Sequence, residues 1–242
     1  MNLLINAGKS QYNKEMFESR NIICNMGFFD PMVNVVMGII RKNMSGFNSN
    51  NIKVLDAGCG EGFHLSRIIN GLRKETEMSL QGVGIDISKG GIQIAAKNYK
   101  DIIWCVADLA RIPFMDKQFE VILNILSPSN YGEFKRIVRN EGILIKVIPG
   151  SDYLKELRKV FYMETEKEIY SGNRVIEHFR NNFNLMDIQN VRYSVELSKD
   201  ELRHLIKMTP LSWGATEDKV QKVLNEGIDC ITADFNIMTG RI

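Results

Sequence analysis

The chain has 242 residues, 44% of them hydrophobic and 25% charged, with a formal net charge of +2. That balance excludes a disordered or low-complexity chain and supplies enough apolar surface for one large α/β domain with an appended segment. No apolar run approaches the roughly 18 to 20 residues needed to cross a bilayer, and the amino terminus lacks the layout of a signal peptide, so a cytoplasmic protein is expected. The small charge excess is neutral on a nucleic-acid partner, because what matters is clustering on one face. Four cysteines, Cys24, Cys59, Cys105 and Cys230, stand far apart without a C-x-x-C pair. Buried free thiols are expected, with neither a metal site nor a disulfide framework.

In chain order, Met1 to Ser10 is polar and glycine-containing, and Tyr12 to Ile23 carries helical apolar spacing at Met16, Phe17, Ile22 and Ile23. Gly27 ends that helix. Asp30 and Pro31 suit the cap and first turn of a second helix over Met32 to Lys42, and a polar run from Asn43 to Asn51 leads to the first strand.

Ile52, Val54 and Leu55 form a short β-branched run that passes through Asp56 into Gly58, Gly60 and Gly62 before a helix resumes and continues over Leu65 to Leu72. A strand, a glycine turn and a helix start can hold a nucleotide-like ligand: glycine reaches positive φ and admits close approach, and the helix start offers unpaired N–H groups. Glycines also close ordinary turns, so the motif needs support. It comes from Leu80 to Asp86, a second strand whose terminal carboxylate stands where a doubly wound sheet binds ribose hydroxyls. A helix follows over Ser88 to Tyr99. A third strand, Ile102 to Val106, runs into Ala107, Asp108 and Leu109, placing another carboxylate at a strand's carboxyl end.

Phe119 to Ile125 reads as a central parallel strand, with Leu126, Ser127 and Pro128 just past its end. A helix over Asn130 to Val138, a turn at Arg139 to Gly142 and a fifth strand over Ile143 to Ile148 follow, stopped by Pro149 and Gly150. Beyond it, Asp152 to Tyr162 is helical, with Lys155, Arg158 and Lys159 expected on a solvent face. Residues 174 to 183 are helical, 184 to 197 extended, 199 to 208 and 217 to 225 helical, and 229 to 238 a last strand, making seven strands in all.

The segments VLDAGCGEG, GVGIDIS and VADLARIPF resemble the class I S-adenosylmethionine-dependent methyltransferases. A dehydrogenase is the rival, but its spacing is G-x-G-x-x-G rather than G-x-G-x-G. The resemblance implies a doubly wound, seven-stranded Rossmann-like α/β sheet with helices on both faces, and S-adenosyl-L-methionine as cofactor. It implies that Gly58, Gly60 and Gly62 wrap the methionine and ribose, that Asp86 takes the ribose hydroxyls and that Asp108 with the Leu109 amide reads the adenine, with Asp56 and Ile87 in the same site. Residues 1–50 are expected as a helical segment covering the active site and 51–242 as the methyltransferase domain, with a cofactor half at 51–150 and a substrate-side half at 151–242.

IDISKGGIQIAAKNY, the Ile125 to Pro128 segment, Lys207 to Pro210 with Trp213, and Asp234 to Ile237 narrow the resemblance to the bacterial 23S rRNA guanine-N1 methyltransferases. Methyl transfer to guanine N1 of an rRNA hairpin is then expected. A small-molecule N- or O-methyltransferase and a non-catalytic cofactor-binding protein are the alternatives, and a homodimer is one option for assembly. The family carries an amino-terminal zinc-binding module, and this sequence begins where that module would end. The residues show no general base; Asn124, Ser127 and Pro128 are the candidates for orienting the acceptor, against the plainer reading of a turn after a strand. His64 faces the cofactor carboxylate or sits on a helix surface. Trp213 and Phe235 stack on a base or pack in the core, and Lys9, Lys14 and Arg20 touch phosphates or are solvated.

Overall fold

Among the described residues, seven strands, β1 (Asn51–Ala57), β2 (Ser79–Asp86), β3 (Ile103–Val106), β4 (Phe119–Ile125), β5 (Val138–Pro149), β6 (Asn184–Glu196) and β7 (Cys230–Arg241), lie in one sheet in the order β3-β2-β1-β4-β5-β7-β6. The structure is a computed structural model that describes residues 13–47, 50–163 and 171–242. Pairing from β3 through β5 is parallel, with Leu55 between Val83 and Ile122 and with Asn124 opposite Lys146. Every residue of β4 is buried, which is why its sequence is apolar at nearly every position rather than alternating.

Among the described residues the helices are α1 (Lys14–Asn25), α2 (Asp30–Met44), α3 (Phe63–Arg73), α4 (Lys89–Asn98), α5 (Tyr131–Ile137), α6 (Lys155–Phe161), α7 (Asn173–Arg180), α8 (Lys199–Met208) and α9 (Glu217–Asn225). Their starts follow local chemistry. Ser88 accepts the Gly91 N–H, Asn130 accepts the Glu133 N–H, and Ser198 with Glu201 forms a reciprocal capping box. The alternation of strand and helix yields the doubly wound α/β sheet expected from the sequence. No single helix among the described residues is long and apolar enough to cross a membrane.

The chain divides into two compact units. One, drawn from Asp30–Ile148, Asn173–Gln189 and Asn236–Ile242, has a core in which Leu55, Ile85, Ile122, Phe134, Leu144 and Phe179 are all fully buried. Burying a side chain of that size contributes about 1.5–3 kcal/mol. The other, drawn from Met1–Phe29, Pro149–Gly172 and Asn190–Phe235, is organised by aromatic packing, with Tyr153 and Phe29 against Phe235 at ring-centroid distances of 5.1 and 5.9 Å. In that unit the Tyr193 hydroxyl donates to the Phe28 carbonyl at 2.6 Å, and the Glu156 carboxylate accepts both the backbone and the hydroxyl of Thr232.

Three expectations are corrected. Arg139 to Gly142 is not a free turn but part of β5, which pairs Val138 with Phe119 before a register shift brings Ile143 opposite Val121. Arg158 is buried rather than on a solvent face, because its guanidinium turns inward to donate to the Ser151 carbonyl. Of the four thiols only Cys24 and Cys59 are buried; Cys105 is half-buried and Cys230 exposed, one on an edge strand and the other at the start of a strand. Phe235 is core, Trp213 is half-buried, and Lys14 is exposed beside Glu18. Arg20 lies over the Phe29 ring, and Lys9 falls outside the described residues.

Candidate active site

The carboxyl ends of β1, β2, β3 and β4 all belong to the larger unit, and the loops leaving them carry the residues singled out in the sequence. After β1 the chain turns through Gly58, Gly60 and Gly62, all at positive φ, so the three glycines occupy backbone that other residues rarely adopt. Gly58 and Cys59 donate their N–H groups to the Ile85 carbonyl at 2.8 and 3.0 Å, which ties the turn to the end of β2. Gly62 is the cap of α3, and a Cβ there would lie 2.5 Å from the Trp104 ring. A Cβ on Gly58 would lie 2.6 Å from Ser127 Cβ, so the turn is packed against the loop that follows β4.

Asp86 accepts the Gly60 N–H on one carboxylate oxygen at 2.9 Å and the Ser88 N–H on the other at 2.7 Å. One backbone donor on each oxygen fixes its orientation. Ile87, next to it, is exposed, whereas Asp56 at the end of β1 is buried. Burial, followed by the charges of Asp56, Asp86 and Glu61, holds the Cys59 thiol well above its ordinary pKa, so this cysteine is a neutral packing residue. His64 is buried as well, with its ring edge-on to Phe63, which corrects the helix-surface alternative.

Beyond β3, Asp108 is exposed and accepts the Ala110 N–H at 2.8 Å, a local turn that presents the Leu109 backbone. This loop is braced from α5. Asn130 donates to the Leu109 carbonyl at 2.9 Å, Glu133 accepts the Ile112 N–H at 2.7 Å, and Arg136 donates to the carbonyls of Ile112 and Phe114. The bidentate Arg136–Glu133 contact holds the Glu133 carboxyl below the ordinary carboxylate range and the guanidinium above its own.

The loop after β4 is built from a buried polar network. Asn124, with no exposed surface, donates its amide to the carbonyls of Ala57 and Pro128, each at 2.9 Å, and to the Ser127 hydroxyl. Its oxygen accepts from the Ser129 hydroxyl at 2.7 Å and from the Lys146 ammonium at 2.6 Å. Ser127 Oγ also donates to the Ala57 carbonyl at 2.7 Å, and Leu126 takes a positive φ of 52°. The Asn124 side chain therefore lies beneath the turn, while Pro128 is exposed upon it. Asn130, Glu133, Arg136 and Lys146 join the site only through these contacts. Lys146 had a visible signal, one charge inside the apolar run ILIKVI; the α5 residues look like an ordinary helix surface.

Glycine at three positive-φ positions, an oriented carboxylate at the end of β2 and an acidic turn after β3 form a set that fits a nucleoside with free ribose hydroxyls: acceptor groups meet hydroxyl and amino donors, and backbone can approach closely.

Residues 48–240 match the family model described as a methyltransferase domain. YxjB of Bacillus subtilis (strain 168), provisionally named a 23S rRNA (guanine-N(1)-)-methyltransferase, is 41% identical over 241 residues, covering 99% of this chain and 84% of that one. The 23S rRNA (guanine(748)-N(1))-methyltransferase of Streptomyces fradiae is 27% identical, covering 88% of this chain and 73% of its own length. Among solved structures, the YcgJ protein from Bacillus subtilis superposes with a TM-score of 0.57 at 13% identity, over 85% of this chain and 97% of that one. The [4+2]-cyclase SpnF does so with a TM-score of 0.50 at 15% identity, over 85% and 80%. The structural likeness is one of fold, since a fold shared with a cyclase does not specify a reaction.

Proposed function

The chain belongs to the S-adenosylmethionine-dependent methyltransferases, in the family of the Bacillus and Streptomyces relatives, and from that premise we propose that its acceptor is N1 of a guanine in a 23S rRNA hairpin. One observation carries the choice of acceptor: the 41% identity extends over 99% of the chain, so it includes residues 151–242 as well as the cofactor half. A shared cofactor alone would not require likeness there. An rRNA acceptor implies work in the cytoplasm.

S-adenosylmethionine supplies a methyl group activated by its sulfonium. What the protein must do is align the acceptor nitrogen with that methyl at near-contact distance, which is worth several kcal/mol of the barrier, about 7–11 in the best-oriented cases. In this reading Gly58, Gly60 and Gly62 wrap the methionine and ribose, with Asp56 beneath and Ile87 alongside. Asp86 receives the ribose hydroxyls, and Asp108 with the Leu109 amide reads the adenine edge. The turn from Leu126 to Pro128, supported by Asn124 and Ser127, orients the guanine. A base in a hairpin must leave its stack to reach it, at a cost of a few kcal/mol.

The test is transfer of labelled methyl from S-adenosylmethionine to 23S rRNA from a strain lacking this gene, run beside a metabolite extract. Label mapping to N1 of one guanine is expected. Label confined to the metabolites would overturn the RNA acceptor and leave the methyltransferase activity standing.

A further inference from the structure

Lys146 lies in the interior of the sheet, 4% exposed, on β5 with buried Ile145 and Val147 on either side and opposite Asn124 of β4. A charge there opposes folding unless its hydrogen bonds repay the lost hydration, and a well-packed apolar residue of the same volume is often at least as stable. Stability therefore does not account for a lysine at this position. Its two contacts suggest what does: the ammonium donates to Asn124 Oδ1 at 2.6 Å and to the Ser127 carbonyl at 3.2 Å.

An ammonium is only a donor, so the amide of Asn124 must turn its oxygen toward Lys146. The amide nitrogen is then committed to the carbonyls of Ala57 and Pro128, one at the root of the glycine turn and one on the loop after β4. The flipped amide would set oxygen against two carbonyl oxygens. The Ser127 carbonyl is held directly, next to Leu126 in its disfavoured left-handed conformation.

We propose that Lys146 is a positioning residue for methyl transfer: its ammonium ties the Asn124 amide oxygen to the Ser127 carbonyl and thereby sets the geometry of the Leu126–Pro128 turn relative to the glycine turn. This rests on the reading of that turn as the acceptor side of the site. Burial of the ammonium, which draws its pKa down to about 8, agrees with a group held for its contacts rather than for stability.

The experiment compares the full chain with Lys146→Met and Lys146→Gln. In Lys146→Met, hydrogen exchange of the peptide covering 124–130 is expected to quicken by roughly tenfold or more while the rest of the larger unit stays protected and the Tm is unchanged or higher. S-adenosylmethionine affinity should stay within roughly threefold, and kcat on 23S rRNA should fall by roughly 10- to 100-fold, as misplacement by about an ångström does. Lys146→Gln, a neutral donor to the same amide oxygen, should recover part of that kcat. A lower Tm with faster exchange throughout the unit would reduce Lys146 to a structural strut and overturn the proposal, as would unchanged exchange at 124–130. If the unaltered protein leaves 23S rRNA unlabelled, the RNA acceptor fails by itself, and the exchange measurement still decides the role of Lys146.

Discussion

The turn after β1 and the turn after β4 touch, through the hydrogen bond from Ser127 Oγ to the Ala57 carbonyl, yet they are held in opposite ways. The first is shaped by what is missing: glycines at positive φ, with backbone N–H groups reaching the end of β2 and the Asp86 carboxylate. The second is shaped by buried side chains, Asn124 and Lys146, with Ser127 and Ser129 around them. A surface that must admit a ligand against its backbone benefits from absent Cβ atoms. A turn proposed to hold an acceptor at a set distance needs a rigid floor, and a satisfied polar network in a dry interior supplies one.

The sharpest way to break the contrast is to give the first turn a side chain. Gly58→Val combines left-handed backbone, at about 1–2 kcal/mol, with overpacking against Ser127, at about 1–3 kcal/mol. Loss of S-adenosylmethionine binding by more than roughly 100-fold and a clear drop in Tm are expected in calorimetry. Retained affinity would mean that the turn is not shaped by its missing side chains.

Next in size is the pH response of the second turn. Lys146 titrates near 8 in the folded chain against 10.5 when unfolded, with burial as the cause. Below pH 8 both states are protonated and the full cost of burying the charge is felt. As pH rises from 8 toward 10.5 the unfolded state binds the extra proton, so stability should rise relative to Lys146→Met, by up to about 3 kcal/mol. Denaturant unfolding of both proteins between pH 7 and 10 measures it, and parallel curves would mean that the ammonium is well solvated.

The smallest effect belongs to the link between the first turn and β2. Asp86→Ala removes the proposed ribose contact, a hydrogen bond to a charged group at about 1.5–3 kcal/mol, so the Kd for S-adenosylmethionine should rise by roughly 10- to 150-fold, and Tm should change little because the Gly60 and Ser88 N–H groups that lose their acceptor are only half-buried. An unchanged Kd would remove Asp86 from the cofactor site.

These two turns differ in the same way in how well they can be read from sequence. Gly58, Gly60, Gly62 and Asp86 signal themselves locally, because a strand ending in glycines and a strand ending in a carboxylate are patterns of adjacent residues. Asn124 could be noticed as a polar residue at the end of an apolar strand, yet whether its amide faces an acceptor or the interior depends on Lys146, 22 residues away, and on Ala57, 67 residues away. The burial of Arg158 and of His64 is hidden from the sequence for a related reason: helical spacing says which residues share a face but not which face is covered.

From the sequence alone follow the seven strands, the helices between them, the parallel character of β4 and the positions of the glycine turn and its acidic neighbours, because each rests on periodicity or backbone freedom acting over a few residues. Only the tertiary structure decides that β5 shifts register against β4, that Arg136 and Glu133 brace the loop after β3, and that Lys146 donates to Asn124 beneath the loop after β4. Those are contacts between strands and helices far apart in the chain, and their energies depend on burial and hydrogen-bond partners that appear only when the sheet assembles.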